Sequence, residues 1–157
     1  MLKRIVEIFS RITKKDLDLE KMINIAHNYA SVENHFDEAV IVHRKGATKA
    51  EKGQIGIIPG CQGSKSYIVE GKGNPDSFNS CSHGAGRKMS RSKAIRTLSL
   101  KREQAELDKK GILHSVRGKR SLDEAPSAYK DIDQVLRLQK DLVKIKTVLN
   151  PLAVIKG

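Results

Sequence analysis

The sequence predicts an α+β fold in one domain, with a core of short strands, flanking helices and a long amphipathic helix near the C-terminus. Apolar residues recur at helical spacing in the first 34 residues. Alternating apolar runs, punctuated by glycine and proline, occupy residues 34–80. Helical periodicity returns after residue 88. A length of 157 residues suits a single ordinary domain.

Two helices are predicted at the N-terminus. The first covers residues 2–12, and its spaced apolar residues are Leu2, Ile5, Val6, Phe9 and Ile12. The second covers DLDLEKMINIAHNYASVEN, residues 16–34, with Asp16 as its N-cap. Its apolar face would consist of Leu19, Met22, Ile23, Ala26 and Ala30.

Three strands are predicted next, from EAVIVHRK, QIGIIPG and KSYIVEG. The basic segment MSRSKAIRTLSLKREQAELDKKG predicts a helix over residues 89–111. Residues 131–149 predict the long amphipathic helix, and LAVIK predicts a final short strand. No internal repeat interrupts this order.

Composition narrows the function classes. An aromatic content of 4% leaves no base-stacking platform of the kind that single-strand binders use. Cys61 and Cys81 show no CxxC spacing, which argues against a zinc site and a disulfide framework and favours a reducing cytoplasm. No apolar run has membrane-spanning length, and the charged N-terminus does not resemble a signal peptide. We therefore expect no membrane partner.

Positive charge is concentrated in one segment. Residues 83–120 contain 12 Lys or Arg and 3 Asp or Glu, which is +9 of the total +12. Such a segment commonly binds an anionic partner, and nucleic acid is the first candidate. A solvated helix surface with a basic loop explains the charge alone equally well.

GCQGSKS, residues 60–66, resembles a phosphate-binding P-loop but lacks its spacing, because Ser64 separates Gly63 from Lys65. A glycine-rich turn can still offer N–H groups to an anion, although it is more often only a tight turn.

SCSHGAGRKMSR, residues 80–91, gives the strongest chemical indication. A histidine that attacks phosphorus needs open space, and the small residues after His83 supply it. Arg87 and Arg91, four residues apart, would share a helix face and stabilise phosphoryl oxygens. Their charge should lower the pKa of His83 and keep its ring nucleophilic. The other four histidines, taken singly, are better explained as structural or exposed.

Long motifs then identify a resemblance. AHNYASVENHF, VHRKGATKAEKGQIGIIPG, GSKSYIVEGKGNPDSFNSCSHGAGRKMSR, DEAPSAYKDID and the terminal VIKG resemble the C-terminal half of the RtcB family of RNA-splicing ligases. The resemblance covers essentially residues 1–157 and implies an RtcB-like, partial fold. It implies a GTP- and Mn²⁺-dependent enzyme that joins RNA 2′,3′-cyclic phosphate or 3′-phosphate ends to 5′-hydroxyl ends. Such enzymes repair RNA and splice tRNA.

The resemblance also implies roles for individual residues. His83 would attack the α-phosphate of GTP and carry GMP, and Gly84, Ala85 and Gly86 would wrap its phosphate. His27 would be a manganese ligand, with Asn28 beside it in the guanylate pocket. The nucleotide loop would comprise Pro59, Gly60, Cys61 and Gln62, with Ser66 just beyond. Tyr129 would pack on the guanine, and Lys156 would hydrogen-bond to it. Arg87, Arg91 and Lys45 would be basic groups near the reacting phosphates.

Three departures from the family pattern matter. PGCQG stands where many members have PGSMG, which backbone binding would tolerate. Asp37 replaces a usual glycine and would be strained if its φ is positive. The family's N-terminal half, which supplies further Asp, Cys and His metal ligands, is expected to lie outside this chain.

Two functional classes therefore stay open. The first is an RNA ligase that is inactive until a separate N-terminal half is supplied. The alternative is a non-catalytic remnant or split subunit that binds nucleotide or RNA.

Overall fold

Seven short strands form three antiparallel sheets, with four α-helices around them, over residues 2–154, which the computed structural model describes. The two-stranded sheets pair β1 (Asn28–His35) with β2 (Glu38–Lys45), and β3 (Ala47–Lys49) with β6 (Ser80–Ser82). The third sheet has the order β4 (Ile55–Ile58), β5 (Ser66–Gly71), β7 (Val143–Leu149). The helices are α1 (Leu2–Thr13), α2 (Arg91–Thr97), α3 (Leu100–Lys109) and α4 (Ile132–Leu138). This mixture confirms the α+β class, and none of these helices is long and apolar enough to cross a membrane.

The N-terminal region confirms one predicted helix and corrects the other. α1 forms as expected. The helix predicted over residues 16–34 is wrong. Its first part forms a 3-10 turn at Leu19–Lys21, capped by Asp18 rather than Asp16, and its last part forms β1. Burial alternates from residue to residue along β1, as expected for a strand. β1 pairs with β2 along its whole length. That pairing overrides the helical spacing of the apolar residues.

The β1–β2 hairpin turns at Phe36 and Asp37, whose φ angles are 55° and 64°. Two central residues with positive φ are typical of the type I′ hairpin turn. Asp37 therefore occupies the left-handed region that the family's usual glycine would favour, and Asp tolerates this region better than most residues.

The C-terminal region gives the largest correction. The three central strands form as predicted, as β2, β4 and β5. The long helix predicted over residues 131–149 is wrong, because α4 ends at Leu138 and β7 pairs with β5. The segment VKIKTVL is rich in β-branched residues, which suit a strand. The predicted strand LAVIK forms only one bridge, from Ala153 to Leu113, within the described residues.

The basic segment contains two helices instead of one. α2 and α3 begin after Ser90 and Ser99, and each serine hydroxyl accepts a backbone hydrogen bond from the first helical turn. Leu107 of α3 packs with Ile112 and Val116 in a small apolar cluster. The two serine caps therefore divide what periodicity alone predicts as a single helix.

The main core joins the third sheet to α4 and β6. Its buried residues include Ile58, Val69, Cys81, Ile132 and Leu136. Cys81 is the central residue of β6, so this packing fixes the strand that leads directly into His83. The fold thus anchors the proposed nucleophile from the core side.

A buried ion pair fixes the β1–β2 hairpin against β6. The guanidinium of Arg44, with a side chain 1% exposed, donates two hydrogen bonds to the Glu33 carboxylate at 2.5 and 2.9 Å. It also donates to the Ser80 hydroxyl at 3.0 Å and the Phe78 carbonyl at 2.8 Å. Glu33 further contacts His35 at 2.9 Å, which completes a network joining both hairpin strands to β6 and to the segment before it.

We predict that Arg44→Met lowers the free energy of unfolding by about 3 kcal/mol, because it leaves the Glu33 carboxylate buried without its main partner. Chemical denaturation of the two proteins measures this loss. Glu38→Gln, in an exposed position of the same hairpin, is the control and should change stability little.

The same pair predicts acid sensitivity. The hydrogen bonds from Arg44 hold the pKa of Glu33 far below its ordinary value. The stabilisation is therefore complete above about pH 4.3, the unfolded value, and is lost as pH falls below it. Glu33→Gln should flatten this acid dependence, and an unchanged slope would contradict the assignment.

Candidate functional site

Three chain segments meet at Gly46, the residue between β2 and β3. Its N–H donates to the His27 carbonyl at 3.3 Å, and its carbonyl accepts from the His83 N–H at 3.4 Å. His27 directly precedes β1, and His83 directly follows β6. A φ of 78° at Gly46 allows both hydrogen bonds from one residue. We call this arrangement the glycine joint.

The glycine joint brings two imidazoles together. The rings of His27 and His83 are stacked, with centroids 5.3 Å apart and planes inclined by 12°. His27 is exposed and His83 is half-buried. Burial first, and the charge of His27 second, lower the pKa of His83. At neutral pH its ring is therefore mainly unprotonated, with a lone pair available to a phosphorus atom.

The sequence correctly predicts a lowered pKa for His83, but the cause expected there is the charge of Arg87 and Arg91. That cause is wrong, because neither arginine lines the cleft at His83. Both instead donate to the Glu124 carboxylate, at 3.3 and 3.2 Å. Nor do they share a helix face, since α2 begins only at Arg91 and Arg87 forms a β-bridge with Tyr129.

The small residues after His83 lie over the Pro59 backbone. The Ala85 N–H donates to the Pro59 carbonyl at 3.1 Å. A Cβ on Gly84 would lie 3.1 Å from the same oxygen, closer than most side chains approach backbone. Gly86 has a φ of 71° and is exposed. Only glycine fits comfortably at positions 84 and 86, which leaves backbone bordering the cleft.

The loop of residues 59–66 is a tight turn held by its own serines. The Gly60 N–H donates to the Ser66 hydroxyl at 3.4 Å, and the Cys61 N–H donates to the Ser64 hydroxyl at 2.7 Å. These two N–H groups are already hydrogen-bonded, which favours the tight-turn interpretation over an anion cradle at these positions. The Gln62 amide donates to the Glu124 carbonyl at 2.9 Å. This bond links the loop to the residue whose carboxylate accepts from Arg87 and Arg91.

A cleft of about 770 Å³ opens in front of His83. Tyr129 lines it, as do the cationic side chains of Lys88 and Lys130. The two lysines lie in the segments SCSHGAGRKMSR and DEAPSAYKDID, but no spacing in the sequence indicates that they line one cleft. Asp131 also lines the cleft, so its two lysines and one aspartate leave a net positive, partly apolar space bordered by the His83 imidazole.

Gln139, at the end of α4, is a further lining residue that no sequence signal indicates. Its Oε1 accepts from the Ser82 N–H at 3.0 Å, which braces the residue before His83. Its buried Nε2 has no hydrogen-bond partner among the described residues.

The remaining predicted residues lie near the joint or outside the described span. Asn28 pairs in register with Lys45 at the end of the hairpin, and both are exposed. Lys156 lies outside residues 2–154. His27 can offer one imidazole to a metal ion, but no group of three His, Cys, Asp or Glu residues in the described span is arranged to hold one. His27 thus fits one ligand position of a manganese site, and the described residues do not complete such a site.

We predict that Gly46→Ala disturbs His83 beyond its effect on stability. A Cβ there would lie 3.7 Å from Cδ2 and 3.8 Å from Nε2 of the ring. Gly53→Ala is the matched control, since its φ is 81° and no atom lies within 4 Å of the added carbon. Each substitution should cost about 1–2 kcal/mol for the left-handed backbone. Only Gly46→Ala should shift the His83 imidazole signals in NMR spectra, and equal His83 spectra in both variants would contradict the role of the joint.

Comparisons with known proteins identify the family of this chain. The family model described as tRNA-splicing ligase RtcB matches residues 1–157. The chain is 43% identical to the RNA-splicing ligase RtcB of Escherichia coli K12, over 100% of this chain and 39% of that protein. It is 47% identical to RNA-splicing ligase RtcB1 of Escherichia coli ATCC 25922, over 86% of this chain and 32% of that protein.

An archaeal relative shows the same partial coverage. The tRNA-splicing ligase RtcB of Methanococcus maripaludis is 36% identical over 94% of this chain and 35% of its own length. The chain spans about two fifths or less of the length of these relatives. On the match to the family model and on these identities, the chain belongs to the RtcB family.

Proposed function

We propose that this chain supplies the nucleotide-transfer site of a GTP-dependent RNA ligase, with His83 as the nucleophile. The ligase joins RNA ends that carry a 3′-phosphate or 2′,3′-cyclic phosphate to 5′-hydroxyl ends, in RNA repair and tRNA splicing. The observation that carries the proposal is the half-buried His83 ring, kept neutral by burial and by His27, at the edge of a cationic cleft. The unpaired cysteines are compatible with a reducing cytoplasm.

The first chemical step forms a phosphorus–nitrogen bond. The lone pair of His83 attacks the α-phosphorus of GTP, the bond from that phosphorus to the bridging oxygen breaks, and pyrophosphate leaves. A 2′,3′-cyclic phosphate end is first hydrolysed by water, which breaks the bond from phosphorus to the 2′-oxygen and leaves a 3′-phosphate. The α-phosphate of GMP then passes from His83 to the RNA 3′-phosphate as the phosphorus–nitrogen bond breaks, which restores the free imidazole. Finally the RNA 5′-hydroxyl attacks the activated 3′-phosphate, GMP leaves, and a phosphodiester remains.

The residues around His83 have simple tasks in these steps. The backbone of Gly84, Ala85 and Gly86 leaves room for the phosphate to approach the ring. Lys88 and Lys130 offset negative charge on the phosphoryl oxygens. Tyr129 offers an aromatic wall to the guanine, and Lys156 adds a polar contact to it. The loop at Pro59–Gln62 would hold the nucleotide beside this wall.

Manganese would be held by His27 together with ligands from the part of the family fold that this chain does not span. When bound, the ion would offset charge at the α-phosphate. The placement of His83 would not depend on the ion, because the backbone hydrogen bond of the glycine joint holds this residue.

RNA would lie along the basic surface of α2, α3 and the following loop. Eleven of the 12 Lys and Arg residues between positions 83 and 120 are exposed. Contacts of this kind hold the RNA backbone without reading its sequence. This surface is independent of His83, and it favours RNA binding by a non-catalytic subunit as the second candidate function.

We expect no ligation from the isolated chain, because one imidazole is a poor manganese site. Ligation should appear when the N-terminal portion of a relative is added. Turnover by this chain without any partner would contradict that dependence.

We predict that His83→Ala abolishes covalent labelling by GTP. The wild-type chain, complemented by the N-terminal portion of a relative and incubated with Mn²⁺ and α-³²P-labelled GTP, should retain an acid-labile label. His43→Ala, at an exposed position of β2, is the control and should be labelled normally. Labelling of the His83→Ala chain would end the assignment of the nucleophile.

We predict that RNA affinity falls steeply with salt and varies little with sequence. The single variants Arg117→Gln and Lys119→Gln should each reduce the dependence of log affinity on log salt concentration by about 0.7 per lost phosphate contact. Lys144→Gln, on exposed β7 outside the basic surface, should not change it. GMP labelling should be unaffected in all three variants. RNA binding that is insensitive to salt would favour the solvated-surface interpretation.

A further inference from the structure

We propose that Gln139 is a positioning residue for His83: its amide oxygen holds the Ser82 backbone, so that the imidazole keeps the place from which it attacks phosphorus. This inference deepens the proposed function and rests on it for the role of His83. It starts from the hydrogen bond between the Ser82 N–H and Gln139 Oε1, which joins the end of α4 to a residue 57 positions earlier.

Gln139 supports the edge of β6 that no strand covers. Within the described residues, this three-residue strand pairs only with β3. Successive residues of an extended chain direct their N–H groups to opposite sides. The His83 N–H donates to the Gly46 carbonyl at 3.4 Å, on the side of β3, and the Ser82 N–H donates to Gln139 Oε1 at 3.0 Å. The segment that enters His83 is therefore held from both sides.

Ser82 links Gln139 to both neighbours of His83 in the chain. Its hydroxyl donates to the Gly84 carbonyl and accepts from the Gly84 N–H at 3.3 Å. The residues before and after His83 are thus joined by the side chain whose own backbone Gln139 holds. Because the rotamers open to a side chain depend on its backbone torsions, a shift of Ser82 would displace the imidazole.

Gln139 is itself anchored in the core. Its N–H donates to the Leu136 carbonyl at 3.3 Å, and its carbonyl accepts from the N–H groups of Leu142 at 3.0 Å and Val143 at 3.2 Å. Leu136 and Val143 are buried members of the main core, and Gln139 is only 6% exposed. The amide oxygen therefore extends from a rigid point, as the support of a precisely placed reactive group requires.

The amide nitrogen indicates that stability alone does not explain a glutamine at this position. Nε2 is buried and has no hydrogen-bond partner among the described residues. A buried donor without a partner costs free energy, and this cost is comparable to what the hydrogen bond at Oε1 contributes. A methionine of similar length would avoid the cost but could not hold Ser82. We therefore expect Gln139→Met to affect His83 more than the stability of the fold.

The first test uses NMR spectra of the chain alone. In wild-type protein labelled with ¹³C and ¹⁵N, a scalar coupling across the hydrogen bond should connect the Ser82 amide nitrogen to the Gln139 side-chain carbonyl carbon. Gln139→Met should speed hydrogen exchange of the Ser82 amide by about fivefold or more and shift the His83 imidazole signals. Gln104→Met is the matched control, because Gln104 is half-buried and donates to the Val116 carbonyl at 2.8 Å, away from the cleft. It should leave the Ser82 and His83 signals unchanged.

The second test separates positioning from nucleotide binding. The chain is complemented by the N-terminal portion of a relative and supplied with Mn²⁺ and α-³²P-labelled GTP. Gln139→Met should lower the maximal rate of GMP labelling by about 10- to 100-fold, since a small misplacement of a reacting group costs this much. The GTP concentration at half-maximal rate should stay within about twofold of the wild-type value. Gln139→Asn keeps the amide on a side chain one carbon shorter and should show the same loss, whereas Gln104→Met should not.

The outcomes separate this inference from the proposed function. A normal labelling rate in Gln139→Met, an equal loss in Gln104→Met, or an effect on the GTP concentration alone would overturn the role of Gln139. So would the absence of the wild-type coupling to Ser82. If Gln139→Met does not fold, Gln139→Asn and the wild-type coupling decide the proposal. A wild-type chain that shows this coupling but takes up no label would reject the ligase assignment alone.

Discussion

The site depends on one backbone arrangement, the two hydrogen bonds that Gly46 makes to His27 and His83. The three segments are far apart in the sequence, and each belongs to a different strand end. Gly46 can serve both because its φ of 78° costs glycine nothing. The buried Arg44–Glu33 pair holds the hairpin on one side, and Cys81 anchors β6 in the core on the other. Together these features place two imidazoles in contact without a direct hydrogen bond between their rings.

The sequence predicts the elements whose pattern and local chemistry agree. α1, β2, β4 and β5 follow directly from periodicity and from the glycines and prolines that bound them. The two largest failures, residues 16–34 and 131–149, are segments whose apolar spacing fits a helix but whose backbones take part in a strand pair. β1 exists because β2 can pair with it, and β7 because β5 can. Such partners lie at long range, where a local pattern carries no information.

The candidate site shows the same division. The small residues after His83 can be read from SHGAGR, and the structure places Gly84, Ala85 and Gly86 along the cleft. The environment of the ring is not legible, because it results from burial and from His27, which lies 56 positions earlier. The sequence also does not indicate the role of Glu124, whose carboxylate pairs with the two arginines that charge alone would assign to His83. Charge counts do not show which carboxylate a cation will meet in the fold.

The most direct measurement of this account is the imidazole pKa of His83, followed by NMR as pH is varied. We expect a midpoint below 6.5, because burial and His27 disfavour the protonated ring. His27→Ala should move the midpoint upward by part of the difference, whereas Arg91→Gln should leave it unchanged. A midpoint at or above 6.5, or a shift caused by Arg91→Gln instead of His27→Ala, would contradict the claim that the glycine joint creates a neutral nucleophile.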